Sequence, residues 1–314
     1  MAFSVLLDRF SLDKLAPPPL TRLDIFQVGL LLGRKMLKCV RLVELLKTVR
    51  VPMIANDEKL FHYTDLGAIA SIVKSRKLWL TNISYLNDTD EMKNGARCLL
   101  NQYNKLAAEE DQPPERAFAT GFLAVALARM NAQEADHSVF TCSFSRAPNL
   151  LSQWRGYGNF AVEFSRAQLE KKHRLLDCVY SDVKKRAEAK KVVSNLVAAF
   201  NDVATNGTTM EKAGEAADEL SVSAGRFKNK HFSAEKEVRL VVAGAHECSE
   251  VMYRSRGEYL VPYLEVEVSP ESIAAIHIGP IADQALAERS IKSLLRSCGY
   301  IGIQVVKSDI PYRA

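Results

Sequence analysis

The 314-residue chain lacks most of the features that assign a protein to a class at a glance. It has no apolar run of the roughly 20 residues needed to cross a bilayer, and no signal-peptide pattern at its start. Its six cysteines, Cys39, Cys98, Cys142, Cys178, Cys248 and Cys298, stand singly, with no CxxC pair. That spacing excludes a disulfide framework and a zinc ribbon, and suits reduced thiols in a cytoplasmic protein. Cys142 and Cys178 sit in apolar text and read as packing residues. HExxH, a Walker A loop, GxGxxG after a strand and GxSxG are all missing. The six histidines, at positions 62, 137, 173, 231, 246 and 277, do not fall into ligand spacing, so no metal is expected.

An excess of one charge is missing too, once the charge is located. The net +5 resides in residues 1–52, which hold nine basic and four acidic side chains. The remaining chain is balanced, which argues against a broadly basic surface built for phosphate backbones. Within the first segment, residues 23–49 read as a basic amphipathic helix. Its longest uncharged stretch, residues 25–33, is too short to span a membrane. Such a helix packs on the domain, forms a homo-oligomer, or lies on a membrane surface. Another reading places the natural start at Met53.

What is present, from residue 53 onward, is the text of one α+β domain. LFHYT and KLWLTNI read as strands flanking the helix DLGAIASIVKSRK, capped by Thr64 or Asp65. Two further helices precede the strands SVFTCSFS and NFAVEFS, separated by the loop RAPNLLSQWRGYG. A helical insertion at about 182–230 interrupts a second strand-rich half that holds EKEVRLVVA, EVMYRS, YLVPYLEVEV, AAIHIG and GIQVVKS. The expected architecture is a mainly antiparallel mixed sheet with helical insertions.

Several polar residues stand where a core would not choose them. Period-two alternation puts His62 on the face of Leu60 and Thr64. Asn87 and Asp88 form a turn-forming pair ahead of a helix. Ser143 and Ser145 alternate with Cys142 and Phe144. In Gln153-Trp154-Arg155-Gly156-Tyr157-Gly158 an arginine lies between two aromatics, a pattern that stacks a planar ring, holds a phosphate, or simply turns a hairpin. In SAEKEVRLVVA, Glu235, Glu237 and Arg239 alternate with Lys236, Val238 and Leu240. One strand face would then carry acid, acid and base, either at a solvent-exposed edge or lining a cleft.

Together these motifs, with the terminal KSDIPYR, resemble the bacterial domain-of-unknown-function 2971 family over residues 59–313. One departure lies at the approach to the acidic strand, where KHFSAEKEVR replaces the family's aromatic-rich WxxYExE-type text and keeps both glutamates and the arginine. More distantly, the plan is similar to the ADP-ribosyltransferase fold of DNA-targeting toxins. That resemblance implies an NAD-dependent transferase or NAD glycohydrolase of bacterial defence or toxin-antitoxin systems. Glu237, or second Glu235, would stabilise an oxocarbenium-like ribose, and His62 would bind the ribose or the nicotinamide end. Thr64, Asn87, Ser143, Ser145, Trp154, Arg155, Tyr157 and Arg239 would line the nucleotide. The acceptor, whether DNA, RNA, protein or water, stays open. Two rival readings are a nuclease-like or non-catalytic nucleic-acid module of a defence or mobile element, and a nucleotide-binding domain without turnover.

Overall fold

A computed structural model describes residues 49–50, 57–86, 89–109, 114–131, 139–206, 210–243 and 250–311. The expected N-terminal helix therefore falls outside the described residues, except for its last position, Val49. That residue and Arg50 form instead a short strand (β1) parallel to β11 (Tyr300–Ile301). From Val49 the chain forms one compact unit. Asn87 also lies outside the described residues.

The first hydrophobic alternation becomes β2 (Lys59–Thr64), which buries Leu60, Phe61 and Tyr63. Asp65 then caps α1 (Leu66–Ser75) by accepting the Ala68 N–H at 2.8 Å. The helix stops at Arg76, whose left-handed φ of 58° turns the chain directly into β3 (Lys77–Asn82). Two long helices follow, α2 (Thr89–Ala107) and α3 (Pro114–Asn131), and then β4 (Phe140–Ser145). The text expected as a loop folds instead into the short helix α4 (Leu151–Tyr157), leading to β5 (Phe160–Ser165). After α5 (Arg166–Glu170) and β6 (Arg174–Asp177) comes the insertion, α6 (Asp182–Asn206) and α7 (Met210–Ala224). The second half supplies β7 (Glu237–Val242), β8 (Met252–Arg256), β9 (Tyr259–Glu267), β10 (Ile273–Ile278), α8 (Gln284–Ser297) and β12 (Gln304–Lys307).

The strands join in the order β12-β10-β5-β2-β4-β3-β9-β8, with β7 on β4 and β6 on β7. Apart from the parallel pair β10–β12, every pairing in this sheet is antiparallel, which makes it the mixed, mostly antiparallel sheet of an α+β protein. One face carries Leu60, Phe144, Val162, Val238, Leu240 and Ile276, covered by Ile69, Ile72 and Val73 of α1 and Ile291 and Leu295 of α8. The four long helices α2, α3, α6 and α7 bury a core of their own around Leu99, Leu123, Leu127, Val193 and Phe200. A smaller cluster of Ile83, Val139, Val222 and Val241 links α7 to the sheet. Among the described residues no helix is long and apolar enough to cross a membrane.

One irregularity in the pairing matters for everything that follows. β4 gives one full edge to β7, from Phe140 opposite Val242 to Ser145 opposite Glu237. Its other edge is divided. Phe140 and Thr141 pair with β3, while Ser145 pairs with Phe61 of β2. Between those contacts β2 and β3 diverge, and the sheet opens.

Candidate functional site

A cavity of about 440 Å³ occupies this opening. Because it passes between two strands, it is lined from both sheet faces: His62 and Cys142 from one, Ser143, Ser145 and Glu237 from the other. A second cavity of about 760 Å³ adjoins it and shares Ser143, Tyr157, Glu235, Glu237 and Arg254. Both fall in the range of small-molecule sites.

His62 shows why an imidazole sits on β2. Leu60 is fully buried, and alternation carries His62 to the same side, at the mouth of the gap. There its Nδ1 lies 3.0 Å from the carbonyl oxygen of Ser143. In a closed sheet a neighbouring strand would satisfy the β4 edge, and here the imidazole does so. A carbonyl only accepts, so Nδ1 carries the ring proton and Nε2 keeps its lone pair. Burial lowers the pKa of His62 below its ordinary 6.5, against a smaller opposing effect of the Ser143 carbonyl. The ring is therefore neutral, with an acceptor available to a hydroxyl or amide donor. Cys142 Sγ lies 3.5 Å from the same Nδ1, but burial and the charge of Glu237 push its thiol up to about 12. The pair is not a thiolate–imidazolium nucleophile.

The acidic stretch differs from its expected form. Only Glu237 begins the strand. Glu235 ends a 3-10 turn, Lys230–Glu235, and Lys236 between them has a left-handed φ of 45°. The two carboxylates nevertheless converge, because buried Lys228 reaches both, at 2.7 Å from Glu235 Oε2 and 2.6 Å from Glu237 Oε2. Arg239 Nε donates to Glu237 Oε1 at 2.7 Å, and its Nη1 donates to the Gly225 carbonyl. The Glu237 backbone N–H donates to the Tyr180 hydroxyl at 2.8 Å. Burial by itself would raise the Glu237 carboxyl. Arg239 and Lys228 outweigh it and hold the group at about 2. Glu237 is thus an ionised wall residue with both oxygens engaged. The second oxygen of Glu235 makes no hydrogen bond among the described residues.

The remaining expected residues divide. Thr64, Ser143, Ser145 and Tyr157 line the first cavity, and Arg239 lines the second. Ser145 is already committed, since its hydroxyl donates to the Glu235 carbonyl and accepts the Ala147 N–H. Trp154 corrects the expectation that it stacks on a ligand. It is buried edge-on against Tyr63 at 4.5 Å between centroids, its Nε1 donates to Asn149 Oδ1, and Gly279 lies against its ring. Arg155 lines neither cavity and is exposed on α4.

Several lining residues went unread in the sequence. Trp79 stands 41% exposed beside Tyr263, with the Arg254 guanidinium 5.9 Å from its ring centre. Its signal was a tryptophan between Leu78 and Leu80, on the alternate face of a strand. Arg254 donates to Thr81 Oγ1, and Arg256 borders the second cavity. The Thr141 hydroxyl is buried with no hydrogen-bond partner among the described residues. Lys228 lay outside any motif. Among the described residues no cluster of three or more histidine, cysteine, aspartate or glutamate side chains could hold a metal ion.

The chain matches no family model, no curated protein and no solved structure.

Proposed function

We propose that this chain binds NAD in the opening between β2 and β3 and transfers its ADP-ribosyl group, in the manner of an ADP-ribosyltransferase. The observation that carries this reading is the meeting on one cavity of His62 and Glu237, from opposite faces of a sheet that had to split to join them, with Glu235 of the preceding turn. In the reaction the bond from nicotinamide nitrogen to ribose breaks, and both electrons leave with the ring. The ribosyl carbon passes through an oxocarbenium-like state and is captured by an acceptor oxygen or nitrogen, which gives up its proton. Carboxylates beside such a carbon stabilise its positive charge. Glu237 supplies a fixed negative charge that stays ionised at any ordinary pH. Glu235, with one oxygen open, is placed to meet a ribose hydroxyl. Neutral His62 accepts a hydrogen bond at Nε2. Arg254 and Arg256 offer guanidinium groups to a diphosphate in the adjoining cavity.

Incubation with NAD and measurement of free nicotinamide tests the reading. Release is expected, and Glu235→Gln is expected to lower turnover at least about 100-fold while keeping NAD affinity within a few fold. No release from the folded protein would overturn it.

One observation favours a second reading, nucleotide binding without turnover. Lys228 and Arg239 between them balance Glu235 and Glu237, so the four charges sum to zero and the oxocarbenium would meet a neutralised wall. Tight NAD binding with no nicotinamide release would select it.

A further inference from the structure

Gln153 is 94% buried, on the face of α4 turned to the first cavity. Its carboxamide makes no hydrogen bond among the described residues, and neither of its polar atoms is fully buried. An amide that the protein itself leaves unpaired in an otherwise buried side chain is free to exchange water for the groups of a ligand that enters the cavity. The helix beneath it is also fixed with unusual care. The Tyr63 hydroxyl donates to the Ala147 carbonyl at 2.7 Å and accepts the Leu150 N–H at 3.2 Å, which ties the start of α4 to β2. Trp154 anchors the middle through Asn149. At the end, Gly158 has φ 127° and lies so close to the Thr64 carbonyl that a Cβ would overlap it. A side chain carried on so constrained a helix is presented in a fixed direction.

Four residues on, Tyr157 projects from the same helical face and lines both cavities. Resting on the reading of this opening as an NAD site, we infer that Gln153 reads the edge of a planar heteroaromatic ring that stacks against Tyr157. A carboxamide pairs best with a neighbouring donor and acceptor in one plane, giving two parallel hydrogen bonds. NAD offers that pattern twice, in the carboxamide of nicotinamide and in the amino-pyrimidine edge of adenine. Gln153 is thus a specificity-determining residue, and the chemistry it selects is an amide-like edge on a flat ring.

Titration with three dinucleotides distinguishes the two sources. Nicotinic acid adenine dinucleotide alters only the carboxamide, and nicotinamide hypoxanthine dinucleotide alters only the adenine edge. Wild-type protein is expected to bind one of these at least about tenfold more weakly than NAD, because a site built for a hydrogen bond rejects the analogue that cannot make it. Gln153→Leu and Gln153→Met are expected to weaken NAD by a similar factor and to bind the disfavoured analogue as well as NAD. Melting temperature confirms that each variant is folded. Should either folded variant keep both the wild-type affinity for NAD and the wild-type discrimination, the role of Gln153 is overturned and the NAD site stands. If the wild type binds none of the dinucleotides and neither free nicotinamide nor adenine, the NAD reading falls and the role of Gln153 falls with it.

Discussion

Lys228 Nζ lies 2.6 Å from Glu237 Oε2, joining the segment that follows the helical insertion to the first residue of the cleft strand. Both partners are about 95% buried. A buried ion pair gains little over an apolar substitute but is costly to break, because the remaining charge is stranded.

Lys228→Met is therefore expected to destabilise the fold by about 3 to 5 kcal/mol. Adding Glu237→Gln should recover part of that loss, since the charges of Glu235 and Arg239 then balance again. Denaturant unfolding of the two single variants and the double variant measures the coupling. Simple additivity would show that the pair does not act as a unit.

Acid should expose the same network. Glu237 ionises at about 2 in the fold and near 4.5 in an unfolded chain, so its contribution is complete above about 4.5 and is lost as pH falls towards 2. The difference corresponds to about 3 kcal/mol. Wild-type stability should decline through that window, and Glu237→Gln should flatten the decline. Equal slopes for the two proteins would contradict the assignment.

His62 should act at milder pH. Its folded pKa lies below the ordinary 6.5, so the unfolded chain takes up the proton first, and stability falls as pH drops through 6.5. His62→Gln should remove that part of the slope. His62→Leu tests binding, because loss of the Nε2 acceptor should weaken NAD by about 1 to 3 kcal/mol. A flatter pH curve with unchanged affinity would confine His62 to supporting β4.

The chain has two tryptophans, and they report different places. Trp79 stands at the cavity wall and Trp154 is sealed beneath α4. Ligand in the opening should quench fluorescence in the wild type and in Trp154→Phe, whereas Trp79→Phe should lose most of the response. A response that disappears with Trp154 instead would place the ligand elsewhere.

The elements themselves were largely legible. Period-two runs became strands, Asp65 capped its helix, and alternation put His62 with Leu60. Four things were not, each for a physical reason. α4 was hidden because Pro148, Gly156 and Gly158 read as turn text, and a seven-residue helix depends on Tyr63, Asn149 and Gly279 rather than on its own propensity. Glu235 was misplaced because nothing local marks Lys236 as left-handed. Trp154 was expected at the ligand and Trp79 went unread, since composition around a tryptophan does not say which side of a strand or helix the fold will cover. The opening itself was invisible for a deeper reason. It arises from which distant strands share an edge, and no periodicity within β4 records that.

Because both walls of the opening are sewn to one strand, its span is counted in residues. From Thr141, the last position paired with β3, to Ser145, paired with β2, is four steps, or about 13 Å at the rise of a β-strand. The aperture can therefore change only in whole increments. Deleting one residue would narrow it by about 3.3 Å and also turn every following side chain of β4 to the opposite face. Size selection at this site is thus inherited from backbone pitch, which point substitutions do not alter, and substitutions are left to tune only what the aperture recognises.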